Sequence, residues 1–180
     1  MPVLILSSSP NKNGLTAACV KEAIAGLKQT GNSYKEICLN DFKINSCKAC
    51  GDGWGSCRTD YRCSINDDFN KIYDQFFRAD AFIFITPVYW GDMSESMKSF
   101  TDRLRRCAGN RDEKSPTFRK RAIAVAAAGG SGRGTISCLT NMERLLQHLQ
   151  VEIFDLISIT QLSREYKQIA IRNAVVKMMA

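Results

Sequence analysis

Five apolar runs recur along the chain, and each is followed by a polar loop and then by a stretch whose apolar residues return every three or four positions. The runs are Val3 to Leu6, Tyr34 to Leu39, Ala81 to Ile85, Ala122 to Ala128 and Val151 to Ile159. Short continuous apolar runs of this kind predict strands covered on both faces, as in a parallel sheet. The second is more mixed in character, and the fourth is built almost wholly of alanine, which close packing against a neighbour would explain.

Helical spacing follows each run. Val20, Ile24 and Leu27 lead to a stop at Gly31, and Phe69, Ile72, Tyr73, Phe76 and Phe77 make one apolar face behind a cap at Asn66, with Asp67 and Asp68 in the first turn. Met97, Phe100 and Leu104 share the face of a third helix. Ile136, Leu139, Leu145, Leu146 and Leu149 define a fourth, and a last helix begins near Ser163. Strands alternating with helices predict one α/β domain over 1–180, with a doubly wound parallel sheet and right-handed crossovers. Two segments stand outside this rhythm: a polar connection from Gly109 to Lys120 containing Pro116, and an aperiodic stretch at about 45–65 that reads as an inserted cysteine-rich loop.

The loops after strands one, three and four carry the candidate chemistry. Ser7 to Thr16 is rich in hydroxyl and amide side chains and opens a helix, so it offers side-chain donors, unpaired N–H groups and the positive end of a helix dipole. It reads as a phosphate cradle or as an ordinary capped polar loop, and it contains neither a Walker loop nor the dinucleotide glycine fingerprint. Thr86 to Glu95 turns the third strand into an aromatic loop. Pro87 is expected to end the strand, Gly91 to permit a tight turn, and Tyr89 and Trp90 either to wall a flat ligand or to pack beneath the loop. Gly129 to Gly134 holds four glycines in six residues, which predicts a backbone that turns tightly or approaches a ligand closely. In a flavodoxin-like sheet of five strands, order 2-1-3-4-5, these three loops meet at the carboxyl edge near the topological switch point.

Composition changes this picture in two places. The 25 lysines and arginines exceed the 18 aspartates and glutamates, giving a net charge of +7 that suits an anionic ligand such as a nucleotide. The basic residues are spread over every predicted helix, with short clusters only at 103–106 and 119–121, so we read a solvated surface and not a nucleic-acid interface. No run reaches membrane-spanning length and no basic-then-apolar leader precedes the first strand, so the expectation is a cytoplasmic protein. The one histidine, His148, sits among leucines away from the three loops and is read as structural.

Cysteine is the second place. Cys19, Cys38, Cys107 and Cys138 lie singly in predicted elements, where a free thiol acts as a small apolar residue, whereas Cys47, Cys50, Cys57 and Cys63 cluster. In a reducing compartment such a cluster points to metal or redox chemistry more than to disulfides. A metal centre, a set of free thiols shaping a site or subunit contact, and a redox thiol pair are all compatible with the spacing.

Taken in order, these motifs resemble the NAD(P)H-dependent FMN reductase family, and more narrowly its branch of iron-sulfur flavoproteins. The resemblance implies that Ser9, Asn11, Asn13, Gly14, Leu15 and Thr16 hold the FMN phosphate, that Pro87, Val88, Tyr89, Trp90 and Gly91 lie along the isoalloxazine ring, and that Gly129, Gly130 and Ser131 meet its polar edge. It further implies hydride transfer from a reduced nicotinamide to flavin N5, then electron transfer to a flavin, a quinone or a redox protein, in a homodimer or homotetramer. That chemistry belongs mainly to the flavin, so no catalytic side chain is assigned, although Tyr89 and Asp92 merit testing. An electron-transfer protein without nicotinamide turnover is the alternative. The basic charge favours the enzyme, because carriers of the flavodoxin type are usually acidic. Relatives with a cluster have a third cysteine two residues after the second, where this chain has Gly53, and we assign no zinc or iron-sulfur cluster to Cys47, Cys50, Cys57 and Cys63.

Overall fold

The computed structural model describes residues 2–109, 115 and 117–180. Its elements in chain order are β1 (Val3–Ser7), α1 (Leu15–Gln29), β2 (Tyr34–Cys38), a 3-10 turn (Leu39–Asp41), α2 (Ser56–Thr59), α3 (Phe69–Arg78), β3 (Ala81–Tyr89), β4 (Asp92–Met93), α4 (Glu95–Ala108), β5 (Arg121–Ala128), α5 (Thr135–His148), β6 (Glu152–Thr160) and α6 (Arg164–Met179). Half of the predicted connection at 109–120, including Pro116, lies outside the described residues.

Strand residues alternate between two cores, as the twofold period of a strand requires. Leu4, Leu6, Phe82, Phe84, Ala122, Ala124 and Ala126 face α3, α4 and α5. Val3, Ile5, Ile83, Ile85, Ile123, Val125 and Ala127 face α1 and α6. The sheet is thus covered on both sides, and the small side chains of β5 sit opposite the phenylalanines of β3 on the first of these faces, where Phe76 stacks on Phe82 at 4.1 Å.

The strand order is β2-β1-β3-β5-β6, all parallel, with β4 off this path and antiparallel to β3. The expected five-strand sheet of order 2-1-3-4-5 therefore needs one correction, a sixth strand of two residues. It arises because β3 does not stop at Pro87 but runs to Tyr89 and folds back. Beyond Ile85 strand β1 has no partner for β3, so this is a sheet edge, where a residue without an N–H is tolerated. Pro87 instead pairs in register with Ala127 of β5. The chain then reverses through Trp90 and Gly91, with φ of 49° and 78°, and Tyr89 pairs with Asp92. Two successive residues at positive φ between antiparallel partners make the two-residue hairpin that matches strand twist.

Three smaller expectations are also corrected. Helix α3 starts at Phe69, not behind an Asn66 cap, because Asp67 is drawn inward to Arg103 and takes the Phe69 N–H on Oδ1 at 3.0 Å. Arg103, grouped by sequence with the solvated basic clusters, is 1% exposed for that reason. Ile136, expected on the apolar face of α5, is 71% exposed, because it falls one position outside the stripe formed by Leu139, Met142 and Leu146.

Candidate functional site

The phosphate-loop candidate leaves β1 at Ser7 and enters α1 at Leu15. Its shape comes from local bonds: Asn11 Oδ1 accepts the Asn13 N–H at 3.0 Å, Ser9 Oγ accepts the Asn11 N–H at 3.3 Å, and the Gly14 N–H donates to Asn11 O. Asn and Ser side chains that bond the backbone two residues on favour such turns. No side chain caps α1 and no acidic residue stands in its first turn, so the leading N–H groups of Leu15, Thr16 and Ala17 are left for a ligand. Thr16 is buried at the mouth of the helix, and its hydroxyl has no bonding partner among the described residues. Beside this loop lies a cavity of about 290 Å³, with Ser9, Asn11, Thr16, Lys12 and Lys21 among its lining residues and the carboxylates of Glu36 and Asp41 beside them.

On the neighbouring strand, Tyr89 is 44% exposed and Trp90 wholly so, which decides between the two readings of these aromatics: neither packs beneath the loop. Trp90 holds a left-handed backbone that a bulky residue seldom adopts, and the hairpin around it fixes that conformation. Asp92 is turned back on its own strand, where Oδ1 accepts the Met93 N–H at 2.7 Å.

The glycine loop follows β5. Around Gly130 a β-carbon would meet open space, and around Gly129 only the Gln161 amide at 3.9 Å, so both backbones are open to the surface, with Ser131 exposed beside them. Gly134 is different. A β-carbon there would lie 2.7 Å from the Gly91 Cα, and one on Gly91 would lie 2.8 Å from Ser137 Oγ. The aromatic hairpin and the glycine loop thus touch backbone to backbone.

The phosphate loop and the hairpin are joined by buried hydroxyls that the sequence reading did not single out. Ser94 Oγ donates to Ser8 Oγ at 2.8 Å, Ser8 Oγ to Thr86 Oγ1 at 3.0 Å, and Thr86 Oγ1 to the Pro87 carbonyl at 3.0 Å. The three loops expected to converge do converge at the carboxyl ends of β1, β3 and β5. Together they make an open sheet edge, called the crevice below, whose donors suit a phosphate at one end and whose exposed rings and bare backbone suit a planar group at the other.

The inserted segment lies elsewhere, along α4. Cys47, Cys50, Cys57 and Cys63 come together around one small cavity, joined by Cys107, which sequence had treated as an ordinary helix residue. The signal was present: Cys107 is four residues from Arg103 and shares its face of α4. Burial, then the neighbouring Cys63, Cys57 and Cys47, push the Cys107 thiol up to about 12. Arg103 anchors the segment. Its guanidinium donates to both Asp67 oxygens, at 2.7 and 3.0 Å, and to Asn45 O at 3.0 Å, while it lies 4.2 Å from the Phe69 ring centre. Burial alone would raise the Asp67 pKa, but Arg103 and the Asn45 and Phe69 N–H groups outweigh it and hold the carboxyl at about 2. Arg106 is sandwiched in the same way, bonded to Gly53 O and 4.0 Å from the Trp54 ring centre.

Thiols are the donor chemistry of zinc and iron-sulfur sites. In this arrangement, however, no three Cys, His, Asp or Glu side chains among the described residues are grouped to hold a metal ion, and the cavity between the thiols, about 20 Å³, takes roughly one water-sized group. The residues as placed do not fit a cluster. His148 stands at the end of α5, with Nε2 3.2 Å from the Arg105 carbonyl, remote from the three loops as expected. No helix among the described residues is long and apolar enough to cross a membrane.

Comparison with known proteins gives three kinds of match. The profile of the family described as NADPH-dependent FMN reductase matches residues 1–157. An iron-sulfur flavoprotein of Methanocaldococcus jannaschii is 33% identical over 105 residues, covering 58% of this chain and 52% of the relative. One from Methanosarcina thermophila is 29% identical over 137 residues, covering 74% and 66%. The chain thus spans about half to two thirds of the length of these relatives. Among solved structures, an FMN-dependent NADH-azoreductase from Bacillus anthracis in complex with FMN shares the fold with a TM-score of 0.77 over 99% of both chains, at 13% identity.

Proposed function

The chain belongs to the NADPH-dependent FMN reductase family, and from that premise we propose that it binds FMN in the crevice between its three loops and passes electrons from a reduced nicotinamide to a flavin, a quinone or a redox protein. The observation that carries this reading is the convergence of an uncapped helix start, an exposed aromatic hairpin and a bare glycine backbone at one sheet edge, tied to each other by the Ser8, Thr86 and Ser94 hydroxyls and by the contact of Gly91 with Gly134. FMN, when bound, supplies hydride acceptance at N5. The chain supplies position. Thr16, Ser9, Asn11, Asn13 and the N–H groups from Leu15 onward, at the helix start behind Gly14, hold the phosphate. Pro87, Val88, Tyr89, Trp90 and Gly91 flank the ring, and the backbones of Gly129, Gly130 and Ser131 meet its polar edge. The net charge of +7 favours approach of the anionic nicotinamide nucleotide.

Trp90 and Ile136, both exposed and apolar, flank the junction of Gly91 and Ser137 and leave the crevice without a wall on that side. A second copy of the chain covering this side is part of the proposal. Because the thiol cavity does not fit a cluster, no step is routed through it.

Visible absorption and anaerobic titration test the reading. The purified protein should carry or take up one FMN per chain, and NADPH or NADH should bleach its visible band. Reduction by dithionite but by neither nicotinamide would replace the enzyme with an electron carrier, and a failure to bind added FMN would end both readings.

A further inference from the structure

The buried hydroxyls of Ser8, Thr86 and Ser94 are 0%, 0% and 2% exposed, and none of them touches the crevice surface. Burying three hydroxyls is costly unless each is bonded, and apolar residues of the same size would fill the space without that requirement. Here every one is bonded, and their protons run one way. A hydroxyl has a single proton to give, so donation from Ser94 to Ser8, from Ser8 to Thr86 and from Thr86 to the Pro87 carbonyl uses all three. Thr86 Oγ1 also accepts the Ser94 N–H at 3.1 Å, and the Ser94 hydroxyl shares its proton between Ser8 Oγ and the Ser8 carbonyl at 3.0 Å.

A second observation sets these residues apart from ordinary packing. Ser94 is the N-cap of α4, a position where a serine normally accepts an N–H from its own helix. No such bond is made. The hydroxyl donates instead to Ser8, just after β1, so the helix start forgoes its own backbone cap while the loop after β1 is pinned to the end of β3.

We infer that Ser8, Thr86 and Ser94 are positioning residues that hold the phosphate loop and the Pro87–Gly91 hairpin at a fixed separation, so that one ligand engages both at once. The inference rests on the FMN reading above. When two parts of a ligand bind two fixed subsites, the second engagement is nearly free of ordering cost, and that gain disappears if the subsites move independently. Cutting the chain of hydroxyls should therefore reduce the advantage that FMN has over riboflavin, which shares the ring and lacks the phosphate.

The test measures dissociation constants of FMN and riboflavin, by quenching of flavin fluorescence, for the wild type, Thr86→Val, Thr86→Ser and Ser94→Ala, with thermal midpoints recorded for each. A control, Thr117→Val, removes a buried hydroxyl that donates to Leu149 O at 2.6 Å, outside the three loops. We expect Thr86→Val to weaken FMN at least tenfold and riboflavin by much less, Ser94→Ala to act in the same direction, and Thr86→Ser to restore the wild-type ratio. Thr117→Val should lower the midpoint and leave the ratio intact. A wild type that binds FMN, with Thr86→Val and Ser94→Ala both keeping its ratio of FMN to riboflavin affinity, overturns the inference and leaves the FMN reading standing. If Thr86→Val does not fold, Ser94→Ala decides alone. A wild type that binds neither ligand removes the FMN reading and this inference with it.

Discussion

The crevice loops and the cysteine-bearing insertion are built on opposite plans. Each crevice loop leaves a buried parallel strand and returns as a helix, so its ends are held by the sheet and only its interior needs local bonds, such as those of Asn11 or the Trp90–Gly91 turn. The insertion, 42–68, has no strand pairing. It is held on α4 from the side, by Asp67 on Arg103 and by Gly53 and Trp54 around Arg106. One region keeps its reactive groups outside on a rigid frame, and the other folds them inside around a few charged anchors. They are also apart: Cys107 at the thiol cavity stands thirteen positions along α4 from its cap Ser94 beneath the crevice, roughly 20 Å at 1.5 Å per residue. The lesson is that the insertion can be loosened without touching the crevice, and the reverse.

The largest expected effect attacks the anchor. Arg103→Leu leaves Asp67 buried without its partner, which typically costs about 3 to 5 kcal/mol. Denaturant unfolding should register that loss, and thiol reagents should reach Cys47, Cys50, Cys57 and Cys63 faster, while FMN affinity of the folded protein stays within about twofold. A parallel fall in FMN affinity would break the separation of the two regions.

The converse change is Thr16→Val. It removes one hydroxyl at the phosphate end and should weaken FMN by about 1.5 to 3 kcal/mol, as for a hydrogen bond to a charged group. Thiol reactivity should not move. Unchanged affinity would take Thr16 out of the phosphate site.

Acid provides the smallest and most selective probe. The Asp67 carboxyl is held at about 2, below its value in the unfolded chain, so the insertion gains stability that is complete above the unfolded pKa near 4 and is lost as pH falls toward 2. The shift corresponds to about 2 kcal/mol. The denaturant midpoint should fall between about pH 4 and 2 in the wild type, and the part of that fall that belongs to Asp67 should be missing in Asp67→Asn, whose side chain does not titrate.

Both regions left traces in sequence, of different quality. The sheet was legible because burial on two faces writes itself as continuous apolar runs, and the crevice because glycine, proline and hydroxyl residues mark strand ends. The places that escaped share one cause, a partner distant along the chain. Asp67 after Asn66 looks like a first-turn acid whether it faces water or an arginine 36 residues away. Arg103 looks like its solvated neighbour Arg105, and Cys107 like any small core residue. Nothing in Thr86 or Ser94 reveals that Ser8 completes them. The hairpin escaped for another reason: a tryptophan at positive φ has no compositional signal, and a proline in a strand ordinarily argues against its continuing.

The contact between Gly91 and Gly134 also bears on how the molecule tolerates change. A tight contact is usually relieved by trimming the neighbour, so that a larger residue on one side is matched by a smaller one on the other. Here neither partner has anything to trim. Both sit at positive φ, and a methyl group on Gly134 would meet the Gly91 backbone at 2.7 Å. No second-site substitution at the partner position can rescue the first. The spacing between hairpin and glycine loop is therefore adjustable only by moving β3 against β5, whose ladder runs unbroken from Ala81 and Arg121 to Pro87 and Ala127. The width of the crevice is thus a property of the sheet, and selection or design that seeks a broader ligand must work on the exposed positions around it, Trp90, Ser131 and Ile136, and not on the glycines at its floor.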